Sequence, residues 1–220
     1  MKKLLLTMVL ALAMSILFAQ NYPNILNYVN PNTPTHGVKI KTNLPFTNSS
    51  QMPTISILGY SYGRAAVLDL KIVYYIFNNA FYASSLSSAG GDAPKVYLAN
   101  ENGKVVIFID DKVYHEKFTV SAFAYGLSET LSWFQGWTAA DEAISGTAAQ
   151  VTEILYRNKF GGINFINGKV GIGTDTPSER LAVKGKILAE EIKVKAQPWP
   201  DYVFASNYKK MSLPNWSSLL

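Results

Sequence analysis

Cysteine is absent from this 220-residue chain and histidine occurs twice. The first absence excludes a disulfide framework, a thiolate metal site and a lipid carried on an N-terminal cysteine, so stability has to come from packing or from assembly. The second restricts nucleophilic chemistry, because a Ser-His-Asp arrangement needs a histidine held by a carboxylate beside an activated hydroxyl. His36 falls in a polar stretch. His115 shares the parity of Lys117, Thr119 and Ser121, opposite Tyr114, Phe118, Val120 and Ala122, and is expected to face solvent. Neither is assigned a catalytic role.

Long hydrophobic runs are also missing after the first 18 residues. Met1-Lys2-Lys3 is a short basic start, Leu4 to Phe18 is apolar apart from Thr7 and Ser15, and Ala19 offers a small residue for cleavage. This layout predicts a signal peptide over 1–19 and an exported, secreted or cell-surface product. The apolar stretch falls short of the roughly 20 residues that span a bilayer as a helix, so no transmembrane segment is expected after cleavage. Removing it takes two lysines and no acid, and the formal charge falls from 20 − 15 = +5 to 18 − 15 = +3. No run of Lys and Arg interleaved with aromatics follows, which argues against a nucleic-acid partner.

Residues 20–53 form an Asn/Pro-rich lead-in in which Pro23, Pro31, Pro34, Pro45 and Pro53 oppose long elements, leaving short strands such as Val38 to Thr42. From residue 54 to 160 the chain alternates with period two. In Leu68-Asp69-Leu70-Lys71-Ile72-Val73-Tyr74-Tyr75-Ile76-Phe77 one parity is wholly apolar and the other carries Asp69 and Lys71. Asn78-Asn79, Asn102-Gly103, Asp110-Asp111 and Asn167-Gly168 suit primed hairpin turns, because Asn, Asp and Gly tolerate positive φ. The expected strands run 55–63, 67–77, 81–88, 95–100, 104–109, 112–125 and 151–156. They make an antiparallel meander in a β-sandwich, jelly-roll-like, head. Between Ser128 and Thr147 the alternation stops, and Leu131, Trp133, Phe134 and Trp137 gather in a loop that either caps the core or meets a partner.

Residues 161–195 have another grammar. Ile163-Asn164-Phe165-Ile166, the Asn167-Gly168 turn and Lys169 to Gly173 suggest a tight ribbon. Thr176, Pro177 and Glu179 form a capping box that predicts one helical turn, and Leu181-Ala182-Val183 resumes a strand. Too few apolar residues, strung too linearly, are present to close a core, so this segment is expected to share one with copies of itself through Val170, Ile172, Leu181, Val183 and Ile187. Residues 196–220 are expected to be irregular.

The stretch Gly168-Lys-Val-Gly-Ile-Gly-Thr-Asp-Thr-Pro-Ser-Glu-Arg-Leu-Ala-Val-Lys-Gly-Lys-Ile resembles a repeat of phage tail fibres and of tail-fibre-like surface proteins of Bacteroidetes. There Val-Gly-Ile-Gly-Thr is followed by Pro, then Leu, Val and Gly at set intervals. The continuation from Ala189 to Phe204, and upstream Gly59-Tyr-Ser-Tyr-Gly63 through Gly136-Trp-Thr-Ala-Ala-Asp-Glu-Ala143, are similar to the same proteins. The resemblance implies a homotrimeric β-stalk and a head that mediates adhesion by receptor binding to a cell-surface glycan or protein. It ends after about Tyr208, and the run to Leu220 reads as a truncated C-terminus without a self-cleaving domain.

Chemistry-bearing sets are sparse. Glycoside hydrolysis needs two carboxylates across a cleft; Asp110, Asp111, Asp141, Glu142, Glu190 and Glu191 are candidates, but adjacent pairs point apart and Asp110-Asp111 reads as turn chemistry. Asp92, Asp141 and Glu142 carry oxygens that suit calcium, yet no spaced acidic loop is present and they read as solvated acids. Gly171-Ile-Gly173 is no phosphate cradle. The expectation is therefore no enzyme, no metal and no cofactor. Among the aromatics Tyr60, Tyr62, Tyr75, Tyr82, Tyr125, Trp133 and Trp137, rings suited to sugar stacking or protein contact, Tyr60, Tyr62, Tyr125, Trp133 and Trp137 are the ligand-binding candidates. The competing class is a secreted carbohydrate-active enzyme with acids near Trp133–Glu142. An eight-stranded outer-membrane barrel would need uniformly apolar outward faces, against which Asp69 and Lys71 stand.

Overall fold

The computed structural model describes residues 20–49, 52–124 and 129–193, which are all-β with no α-helix among them. The expected signal peptide, the ligand-binding candidate Tyr125 and the expected tail lie outside the described residues. The chain divides into two units at Phe160 and Gly161.

In the first unit, ten strands build two antiparallel sheets. One contains β1 (Gln20–Asn30), β8 (Glu116–Ala124), β3 (Thr54–Ser61), β4 (Ala66–Phe77) and β5 (Ala80–Ser88), in that order. The other runs β10 (Ala149–Ile154), β6 (Lys95–Glu101), β7 (Lys104–Asp110), β2 (Val38–Pro45) and β9 (Thr138–Asp141). Both are open five-stranded sheets rather than one closed eight-stranded barrel.

Period-two alternation is what builds the core. On β4, Leu68, Leu70, Ile72, Tyr74 and Ile76 are buried while Asp69, Lys71, Val73 and Tyr75 are half-buried on the other face. Ile55 and Ile57 of β3, Phe118, Val120 and Ala122 of β8, and Ile107 and Ile109 of β7 join them in one cluster fed by both sheets. Asn78-Asn79 and Asn102-Gly103 turn as expected, with φ of 51°, 55°, 53° and 75°.

Four expectations need correction. The lead-in is not loose: β1 is 11 residues long and pairs with β8. Pro23 is accommodated because β1 is an edge strand, and its register shifts between Tyr22 and Leu26, where Asn24 has φ 53°. The supposed loop of 128–147 holds β9, paired to β2 along Val38–Lys41. The strands are not a simple meander, since β7 and β8 lie in different sheets, and Asp110-Asp111 therefore begins a crossover and closes no hairpin.

The second unit provides the fourth correction. Its strands β11 (Val170–Ile172) and β12 (Leu181–Val183) pair in parallel, so Asn167-Gly168 joins no antiparallel ribbon. The capping box at Thr176 starts no helix. One turn fixes several dihedrals for a single hydrogen bond, and the competing closure wins: Lys169 Nζ donates to the carbonyls of Pro177 (3.1 Å) and Ser178 (2.7 Å), and Val170 N donates to Arg180 O (2.8 Å).

Candidate functional site

Three loops converge where β3 ends and β8 begins. Glu116, the first residue of β8, faces inward on the parity of Phe118, Val120 and Ala122, in register with Ser61 of β3. Asp111 lies at the start of the crossover from β7. Asp92 is brought in by the β5–β6 loop, which lies tight on β4. A Cβ on Gly90 would come within 2.2 Å of Val67 O, so only glycine permits the approach, and Asp92 N then donates to that carbonyl at 3.1 Å.

One oxygen from each of Asp92, Asp111 and Glu116 falls within 4.8 Å of the others, and these residues are 1%, 1% and 0% exposed. Arg64, in the β3–β4 turn, is the nearby cation. Its Nη2 donates to Asp111 Oδ1 at 3.1 Å, and its Nη1 lies 3.3 Å from Asp92 Oδ1 as an ion pair without hydrogen-bond geometry. Asp111 Oδ1 also accepts from Val113 N at 3.1 Å. Burial, then the neighbouring Asp111 carboxylate, pushes Glu116 up to about 8 and raises Asp92 as well. Beside them Tyr156 donates to Pro94 O at 2.6 Å, and burial with the charges of Asp92 and Asp111 raises its hydroxyl to about 12.

On the opposite face of the same β3 end, Tyr60 and Tyr62 project outward. Tyr60 pairs across to Val67 and Lys117. With Ala65, Ala66 and Val67 the two tyrosines line an open hollow of about 550 Å³. Tyr62, 64% exposed, meets Tyr114 edge-on at 6.0 Å and the His115 ring at 5.7 Å. His115 is not a solvent-facing strand residue: it has φ 59°, precedes β8, is half-buried, and its Nε2 is buried without a partner.

The remaining ligand-binding candidates part company. Trp137 is 4% exposed, donates its indole N–H to Trp133 O at 2.7 Å, and stacks near Phe134, which in turn stacks on Tyr22 at 4.0 Å. It is core, and Trp133 packs half-buried against that core. A short 3₁₀ turn, Leu131–Phe134, thus places Phe134 in the core of the first unit. Tyr75 and Tyr82 pair with each other on β4 and β5, away from Tyr60.

The acids expected near the tryptophans are engaged. Asp141 accepts from Thr35 N (2.7 Å) and His36 N (2.8 Å); partial burial opposes ionisation, but these donors and that of Gly37 outweigh it and lower its pKa. Glu142 is ion-paired with Lys41 (2.7 Å) and Lys39 (3.1 Å), which lower its pKa. Asp92 was thus grouped with the wrong partners in the sequence reading, and Glu116 was missed. The available signal was parity: an acid at the head of an otherwise apolar inward set is a buried acid.

Compared with known proteins, the chain matches no family profile, no curated sequence and no solved structure.

Proposed function

We propose that this chain is an exported, non-catalytic attachment protein. In this reading a jelly-roll-like β-sandwich head carries the receptor-contacting surface, and the segment 161–195 is a stalk completed by homotrimerisation. The reading rests on the resemblance of the Val170–Gly185 repeat to tail-fibre stalks, and one structural observation carries it. Within the described part of the second unit the only strands are two of three residues, while Phe165 is 92% exposed, Leu188 is fully exposed, and Ile163, Ile166, Ile172, Leu181 and Ile187 are also exposed. A pair of short strands is not independently stable, and apolar side chains at that density mark an interaction surface. Sister copies of the same segment are the economical cover.

The receptor-facing surface in this reading is the Tyr60–Tyr62–Val67 hollow, because exposed rings stack on sugars and protein side chains at little conformational cost. The enzymatic alternative draws less support. Asp141 and Glu142 are held by backbone donors and lysines, and the three acids that do meet are buried too deeply to admit a sugar ring. The test is binding of the full chain to an array of bacterial-surface glycans and to intact cells. Retention that falls at least tenfold in Tyr60→Ala/Tyr62→Ala, with unchanged circular dichroism, is expected. Retention equal to wild type rejects this surface.

A further inference from the structure

Six buried oxygens around the Asp92–Asp111–Glu116 cluster have no hydrogen-bond partner: both of Asp92, Oδ2 of Asp111, both of Glu116, and the hydroxyl of Ser61. Ser61 is the independent observation. It is no acid, it is fully buried, and it sits directly opposite Glu116 in the β3–β8 ladder, so its side chain emerges on the same face beside that carboxylate. Buried polar atoms are almost always satisfied, and carboxylate oxygens, which can only accept, together with the unpartnered Ser61 hydroxyl leave room for a partner that takes oxygen lone pairs. With all three acids ionised, three carboxylates against one half-exposed guanidinium leave a formal −3 + 1 = −2, a charge that a bound cation offsets.

We propose that Asp92, Asp111, Glu116 and Ser61 form a calcium site. A divalent cation offsets that formal charge and gives one oxygen from each of the three acids a common partner, with the Ser61 hydroxyl beside them. The donor set is oxygen only, which suits a hard cation. Calcium takes six to eight oxygens at about 2.3–2.6 Å, and it accepts carboxylates in one- or two-oxygen contact together with hydroxyl and water oxygens. Magnesium is the poorer fit, because it keeps several waters and these ligands are almost fully buried. The ion would pin the β5–β6 loop, the β7–β8 crossover and the β3 end to one point. Since Ser61 lies between Tyr60 and Tyr62, it would also stiffen the outer hollow.

The test is calorimetric titration of the chelator-treated full chain with calcium chloride, paired with thermal melting. One calcium per chain is expected, with a dissociation constant at or below about 10⁻⁴ M, and at about 5 mM calcium the melting temperature should rise by about 5 °C. Glu116→Gln should abolish the rise. Ser61→Ala, which leaves every charge in place, should weaken binding severalfold, so the proposal does not depend on a variant that fails to fold. Absence of stoichiometric heat and of any melting shift in the wild type overturns the site, as does stabilisation by magnesium but not calcium. Unchanged affinity in both variants places the ion elsewhere and overturns it equally.

Discussion

Arg64 is the residue on which the buried carboxylates lean in the absence of a bound cation. Its replacement by methionine keeps much of the aliphatic length but leaves Asp92 and Asp111 without their counter-charge. Breaking a buried pair by removing one partner costs 3–5 kcal/mol. Because the guanidinium is half-exposed, the lower end applies, and urea unfolding of Arg64→Met in chelator should show a loss of about 3 kcal/mol. Lys71 and Asp69, paired on the outer face of β4, offer the contrast: Lys71→Ala should shift stability by less than about 1 kcal/mol. Tyrosines set the alkaline limit. Burial raises the hydroxyl pKa of Tyr74 well above its ordinary value, and burial with nearby carboxylates raises that of Tyr156 to about 12. A raised folded pKa means the contribution is intact below the unfolded value near 10 and is lost as pH climbs toward the folded value. Stability should therefore fall above pH 10 by about 1.4 kcal/mol per pH unit for each tyrosine, and Tyr74→Phe should shallow that fall in a pH series of denaturation curves.

Strands 3, 4 and 8 were legible as elements because each carries a period-two signal, β7 because Val105 to Ile109 is a short apolar run bounded by turn residues, and the Asn-Asn and Asn-Gly turns announced two hairpins. Gly103, at φ 75° with open space around its missing Cβ, illustrates how local that information is. Gly103→Ala meets no clash yet must adopt a left-handed backbone, so it should cost about 1 kcal/mol, read from the shift in denaturation midpoint. What escaped was non-local. The β1 strand depends on pairing with β8, about 90 residues away in sequence, and only that pairing overrides its proline, Pro23. Strand β9 is four residues long and exists because β2 offers it a partner. Asp110-Asp111 has turn chemistry whichever sheet follows, so composition there could not distinguish a hairpin from a crossover. The acid cluster was invisible for the same reason: Asp92 on the β5–β6 loop and Asp111 and Glu116 at the two ends of the β7–β8 crossover are brought together by connections whose lengths carry no pairing signal, and only the parity of Glu116 hinted at burial.

At the scale of the whole molecule, the two units differ in how they cover apolar surface. The head folds its inward parity into one cluster; Leu70→Ala there should cost about 3 kcal/mol or more, within the range for emptied core sites. The second unit has no comparable interior among its described residues, and Ile172 and Leu181 stand exposed on three-residue strands. Under the proposed homotrimer, Ile172→Asp should leave the melting of the first unit unchanged while lowering the molar mass to that of one chain, because the charge would fall on the surface proposed to be shared. The most direct measurement is the molar mass of the wild-type full chain by light scattering coupled to size exclusion. A mass three times that of one chain is expected; a mass equal to a single chain across micromolar concentrations would contradict the account of the second unit as a shared stalk.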